Sequence, residues 1–205
     1  MTDVMENTGT KTVLAISPKN LGQLASVAAS AGTDDARPIL TAIHLYTRDG
    51  ELIADATDSY SLARVSVATE YKDVDVLIPA KWLVASLKTL KTTKLAYDEA
   101  VVTLTIDGDR VSLGNYDATL TTFAVIGTFP NVDMLLPKEE DYLSEMGSFD
   151  AHFLARMGSI IPPATKKENN TWHCASMSKD KPSVWTCHDD GASALFLLMP
   201  VRDYR

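Results

Sequence analysis

At 205 residues, with 45% hydrophobic and 22% charged residues, the chain has the composition of a globular protein with one large or two small domains. No apolar run approaches the roughly 20 residues of a membrane-spanning helix, and Met1-Thr2-Asp3-Val4-Met5-Glu6 lacks a basic start and an apolar signal stretch, which predicts a cytoplasmic protein with no membrane partner. A net charge of −8 excludes a surface that grips nucleic acid by bulk electrostatics, but not a local basic strip. Two cysteines, Cys174 and Cys187, are too few for a disulfide framework and fit a reducing compartment.

Residues 1–10 are polar and aperiodic and read as a flexible tail. The spacing then predicts a strand at Thr12–Ile16 and a helix opened by Ser17-Pro18, a capping residue followed by proline at the first helical position. Leu21, Leu24, Val27 and Ala28 share one face of that helix. Alternating segments follow at Ile39–Thr47, Glu51–Thr57 and Ser61–Ala68, with Asp49-Gly50 as a hairpin turn. The order then repeats. A strand at Val74–Ile78 precedes a helix opened by Pro79 and carrying Trp82, Leu83, Ser86, Leu87 and Leu90. Strands at Val101–Ile106, Arg110–Gly114 and Thr119–Val125 complete this second unit, with Asp107-Gly108 at the tight turn.

A third, incomplete unit follows the charged connector Lys138-Glu139-Glu140-Asp141. It has a helix at Phe149–Ile160 stopped by Pro162-Pro163, a polar loop at Ala164–Asn170, and strands at Thr171–Met177, Ser183–Cys187 and Ala194–Met199. Turn material lies at Lys179-Asp180-Lys181-Pro182 and Asp189-Asp190-Gly191. Repeated helix-plus-strands units predict an α+β fold in which helices line one side of antiparallel sheets and the first two units close over a shared core. The third unit must bury its helix and sheet against something else.

Four segments in fixed order carry a more specific signal: Arg37-Pro38-Ile39-Leu40, Ala56-Thr57-Asp58-Ser59-Tyr60-Ser61-Leu62-Ala63, Phe129-Pro130-Asn131-Val132-Asp133-Met134-Leu135-Leu136-Pro137, and Leu197-Leu198-Met199-Pro200-Val201-Arg202. Together they resemble the bacterial beta sliding clamp family, the DNA polymerase III beta subunit that tethers a replicative polymerase to duplex DNA. The resemblance implies a DNA-clamp-like fold: residues 11–137 resemble the middle clamp domain and 138–205 the C-terminal half of the last. A first domain and the first half of the last domain have no counterpart here. It also implies a peptide-binding groove lined by Leu40, Thr57, Leu62, Pro130, Leu135, Leu197 and Met199, with Arg37, Ser59 and Tyr60 at its rim. Such a groove would take short motifs of polymerases and clamp loaders. Where the family often has Arg before the Leu of the Ala-Thr-Asp segment, this chain has Ser61, so peptide preference would differ.

In a ring, Lys19, Lys81, Lys88, Lys91, Lys94 and Arg156, with His152, Lys166 and Lys167 near them, would face DNA and hold its backbone without reading sequence. The competing reading is a solvated helix face. The expected function is a reduced, non-enzymatic processivity factor, of a size that suits a phage-encoded clamp, that forms a homo-oligomeric ring on double-stranded DNA. The alternative is a clamp-derived decoy or adaptor that keeps the groove without encircling DNA.

Other chemistries are weaker. His173-Cys174 and Cys187-His188 fit no zinc spacing and read instead as a buried cysteine pair on adjoining strands, with no metal or cofactor. Asp55 with Asp58, or Asp189 with Asp190, could be cast as paired acids of a hydrolase, but fit turn and strand-end chemistry better. Trp172 and Trp185 are expected to pack the third unit.

Overall fold

The computed structural model describes residues 11–90, 101–160, 171–189 and 191–201. The expected tail, Lys91, Lys94, the Pro162-Pro163 stop and the loop with Lys166 and Lys167 lie outside these residues. The first unit comprises β1 (Thr12–Ile16), α1 (Pro18–Ala25), β2 (Ala42–Arg48), β3 (Glu51–Thr57) and β4 (Ser61–Ala68). The second comprises β5 (Asp75–Pro79), α2 (Ala80–Leu90), β6 (Val102–Asp107), β7 (Arg110–Gly114) and β8 (Thr119–Phe123). The third comprises α3 (Ala151–Met157), β9 (His173–Ser176), β10 (Ser183–Asp189) and β11 (Ala192–Leu198).

The turns pair the strands as the sequence predicts. Asp49 and Gly50 both take positive φ, 52° and 81°, the signs of a type I′ hairpin turn. Gly108 is positive at 60° and sits first in the two-residue turn joining Asp107 to Arg110, the position that type II′ reserves for glycine. The Ser17 hydroxyl caps α1 by accepting from the Asn20 amide at 3.1 Å, with Pro18 in the first turn.

Several boundaries differ from expectation: the third helix narrows to Ala151–Met157, the last strand of the second unit ends at Phe123, the third-unit strands shift by one or two residues, and three further differences have a local cause. The first helix ends at Ala25 and continues as a tighter 3-10 turn over Ser26–Ser30, because the Ser26 hydroxyl donates back to the Gln23 carbonyl and competes with the α pattern. Residues 38–41 form a 3-10 turn rather than the start of a strand, since Pro38 has no amide to give a ladder and Thr41 Oγ1 bonds back to its carbonyl. Pro79 ends β5 instead of opening α2; β5 lies at a sheet edge, where a missing N–H is tolerated.

Two sheets result, a four-stranded one in the order β1-β6-β7-β8 and a seven-stranded one in the order β5-β2-β3-β4-β11-β10-β9. The first two units exchange strands: β1 pairs with β6 and β5 pairs with β2, closing both over the predicted shared core. Across the smaller sheet Leu14, Leu104, Leu113 and Leu120 stand in register. Leu14, Leu104 and Leu113 are fully buried. The third unit buries itself against β4, which β11 joins in antiparallel register from Ala192↔Val67 to Leu198↔Ser61.

Strand alternation divides the large sheet into two buried faces. Ile43, Leu45, Leu52, Ala54, Val65, Phe196 and Leu198 face the helices. On the other face Ala42, Leu62, Leu77, Val184 and Leu197 pack against Phe129 and Val132 of the segment that leaves β8. That second face carries the candidate site. Trp172 and Trp185 pack against the helix-side core, the structural role expected of them.

Candidate functional site

The segment between β3 and β4 is a built turn. One oxygen of Asp58 accepts from the amides of Tyr60 at 2.9 Å and Ser61 at 2.8 Å, and Thr57 Oγ1 donates to the Ser61 carbonyl at 2.7 Å. These bonds hold Ser59 at φ 81°, a conformation that costs a non-glycine residue about 1 kcal/mol or more. The turn presents Tyr60, 60% exposed, and its carbonyl accepts from the Met199 amide at 3.1 Å. The strand ends below it bring Leu62 opposite Leu197.

These residues enclose a cavity of about 270 Å³ lined by Thr57, Ser59, Tyr60, Ser61, Leu62, Leu135, Pro182, Leu197 and Met199. Seven of the ten groove residues expected from sequence thus meet around one space. Arg37 stands outside the lining, paired to Asp34 at 3.2 Å and donating to Ser59 Oγ at 3.4 Å. Leu40 and Pro130 also stand outside the lining: Leu40 is half-buried, its carbonyl accepting from the Gly32 amide at 2.8 Å, and Pro130 is exposed. Ser61, expected in the groove as its departure from the family pattern, joins the lining, and so does Pro182, which the sequence does not single out for it. Pro182 reads from sequence only as turn material, and nothing local marks it as a wall.

Arg156 requires a correction. It is not a free cation on a helix face: its Nη1 pairs with Asp58 Oδ2 and donates to Ser61 Oγ at 3.1 Å, and its guanidinium lies 4.5 Å from the Phe153 ring centre. Phe153 in turn lies 5.8 Å from the Tyr60 ring. The guanidinium that Ser61 lacks is therefore delivered next to it by α3.

Burial pushes Asp58 up, but the Ser61 amide, the Arg156 guanidinium and the Tyr60 amide outweigh it and hold the carboxyl below its usual value. A carboxylate depressed in the fold contributes stability that is present above its unfolded pKa and lost as pH falls through its folded one. Urea midpoints are thus expected to fall as pH drops from about 4 towards 2, and Arg156→Leu to show a shallower fall over that range. Identical slopes for the two proteins would remove Arg156 as a cause of the depression and leave it to the two backbone amides.

Among the other expected cation positions, Lys81 and Lys88 are exposed two turns apart on α2 and line a cavity of about 560 Å³ walled by Ala25, Ala28, Ala29, Ala80 and Ala85 and reached by Ser159 beyond α3. Lys19 is half-buried on α1.

Of the acid pairs weighed from sequence, Asp190 lies outside the described residues, and the carboxylates of Asp55 and Asp58 are already engaged. Both oxygens of Asp55 are taken by Arg64 at 2.8 Å, and Asp58 serves its turn. Cys187 is buried but Cys174 is exposed, so they are not a buried pair; the short β9 edge leaves Cys174 uncovered. No group of three potential metal ligands occurs among the described residues. No helix among them is long and apolar enough to cross a membrane.

Residues 15–131 match the family model described as the DNA polymerase III beta subunit, central domain. The chain is 30% identical over 171 residues to the beta sliding clamp of Lactococcus lactis subsp. lactis, covering 78% of this chain and 43% of that protein. It is 26% identical over 139 residues to the beta sliding clamp of Rickettsia bellii, covering 66% of this chain and 36% of that protein. The chain therefore spans less than half the length of these relatives. Its fold is shared with a DNA polymerase sliding clamp from Pseudomonas aeruginosa (TM-score 0.74, 16% identity, 99% of this chain and 69% of that one). It is shared equally with the DNA polymerase beta subunit of Streptococcus pyogenes (TM-score 0.70, 19% identity, 99% and 68%). With its central segment matched by the family model and nearly all of its length matched in fold, the chain belongs to the DNA polymerase III beta subunit family, the beta sliding clamps.

Proposed function

We propose that the chain is a reduced sliding-clamp-like processivity factor of DNA replication, working in the cytoplasm, that captures short apolar motifs of a polymerase and a clamp loader in the cavity beneath Tyr60. The observation that carries this is convergence. Leu62 and Thr57 from the middle-domain-like part (11–137) and Leu197 and Met199 from the half-domain-like part (138–205) enclose one apolar space. An apolar floor ringed by hydroxyls suits a peptide with hydrophobic anchors. No catalytic step belongs to this reading, since beta clamps are non-enzymatic. Met199→Ala is expected to weaken a fluorescein-labelled peptide with adjacent leucine and phenylalanine anchors by roughly tenfold in fluorescence polarisation. Unchanged binding would remove the cavity from consideration.

Assembly into a ring is supported by the sheet edges. Among the described residues, three of the four edges receive hydrogen bonds from elsewhere in the chain, at the strand or just past it. Tyr71 Oη bonds both the amide and the carbonyl of Ala15 on β1, the Val125 amide reaches the Leu77 carbonyl on β5, and Leu143 and Glu145 bond Met177 just past β9. The outer edge of β8 has no such cover among the described residues. Its sequence Thr-Leu-Thr-Thr-Phe carries no charge, proline or glycine to discourage pairing, and Phe123 is 66% exposed. Duplex DNA would then pass the helix side, where Lys81 and Lys88 stand. The net charge of −8 and the engagement of Arg156 with Asp58 favour the alternative, a peptide-binding decoy or adaptor that does not encircle DNA. Light scattering and retention on circular but not linearised DNA separate the two: a strict monomer with no retention would sink the ring.

A further inference from the structure

The 3-10 turn Val132–Leu135 contributes Leu135 to the wall of the cavity, and its other residues divide between the core, the sheet and solvent. Val132 is buried beside Phe129, Leu62 and Leu197. Met134 is 81% exposed. Leu135 lines the cavity beneath Tyr60 and also an adjoining cleft of about 460 Å³. Asp133 points back at the sheet, where two arginines converge on it: Arg48 Nη1 at 2.6 Å from Oδ2 and Arg64 Nη1 at 2.7 Å from Oδ1. Arg48 holds the Asp133 carboxyl below its usual value against some burial, and Arg64 adds to the effect.

Arg64 is itself held on several sides. Its Nε and Nη2 each donate to Asp55 at 2.8 Å, Tyr46 Oη donates to the same carboxylate at 3.2 Å, and its side chain is 11% exposed. It lies on β4 two residues from Leu62, hence on the same face of the sheet as the opposite wall. Val132 alone fixes a point on the turn but not its orientation. Adding Asp133 fixes both.

We propose that Asp133 is a positioning residue for peptide recognition: through Arg64 and Arg48 it references Leu135 to the strand that supplies Leu62, and so sets the width of the cavity before a ligand arrives. The inference rests on the peptide-groove reading. Preorganised walls spare a ligand the cost of ordering them, so loosening the turn weakens binding without removing any ligand contact.

The test is a polarisation titration of the same labelled peptide against wild type, Asp133→Asn, Asp133→Glu, Leu135→Ala and the double variant Asp133→Asn/Leu135→Ala, at a temperature where melting curves show all five folded. Asp133→Asn is expected to weaken binding roughly fivefold, as for partly exposed ion pairs, and Asp133→Glu to recover part of that loss. In the Leu135→Ala background Asp133→Asn is expected to cost nothing more, because the side chain it positions is gone. A purely structural role would not produce that non-additivity. Added salt should weaken the wild type towards Asp133→Asn while leaving Asp133→Asn little changed. Wild-type affinity in Asp133→Asn, or additive losses in the double variant, would overturn the proposal while Leu135→Ala still weakens binding. Wild-type affinity in Leu135→Ala and Met199→Ala as well would overturn both it and the groove.

Discussion

Asp55→Ala is expected to destabilise the fold by about 3–5 kcal/mol, the range for removing one partner of a buried ion pair. Asp55 is 1% exposed and sits directly across from Arg64 in the β3–β4 register. Its removal leaves the Arg64 guanidinium in a sheet face closed over by Phe129 and Val132, with Asp133 as its remaining carboxylate partner. That residual contact places the expected loss nearer 3 than 5 kcal/mol. Urea unfolding at neutral pH reads it directly. The double variant Asp55→Leu/Arg64→Leu should recover most of the loss, since an apolar pair of similar volume avoids burying charge altogether. A loss under about 1 kcal/mol for Asp55→Ala would mean that water reaches the pair and that it behaves as an exposed one.

The strands around this pair were the most legible part of the chain. Glu51–Thr57, Ser61–Ala68 and Arg110–Gly114 form as the sequence predicts, because each is bounded by turn residues and carries a β-branched or alternating pattern that a helix could not bury. Residues 39–41 misled because an apolar run next to a proline looks the same as a strand or as a 3-10 turn, and only Pro38's missing amide tips the balance. Pairing between units was only half visible. Repetition implies that two units share a core, but nothing in residues 192–198 shows that β11 would extend the first unit's sheet through β4.

The site divides in the same way. Leu62, Leu197 and Met199 could be named because each lies in a short segment that resembles the family's, and the resemblance implies their meeting. Residues acting across long separations could not. Ser61 reads as the loss of a guanidinium, and only folding reveals that Arg156, 95 residues later, places one against its hydroxyl. Asp133 is an unremarked acid in Phe129–Pro137 until the sheet brings Arg48 to it across 85 residues. Lone charges carry no periodicity, so their partners emerge only from topology.

Phe196→Ala is expected to cost about 3–5 kcal/mol, the range for removing a fully buried aromatic side chain and leaving most of its volume empty. Phe196 is 0% exposed at the centre of β11, between Ala63 of β4 and Trp185 of β10, and meets the Trp172 ring edge-on at 6.3 Å. The small Ala63 across from it makes room for the ring and is itself too short to refill the space. Because the residue sits where the third unit joins the first, its loss should reach beyond stability. Hydrogen exchange in Phe196→Ala is expected to quicken in β9, β10 and β11 and in β4 together, while the amides of β6 and β7, in the other sheet, keep more of their protection. With Leu197 and Met199 next in sequence, the variant should also bind the labelled peptide more weakly than its loss of folded fraction explains, since the wall they form is no longer held against Leu62. A stability loss under about 1.5 kcal/mol would mean that the strands close around the gap, and the seam would then be softer than its register suggests.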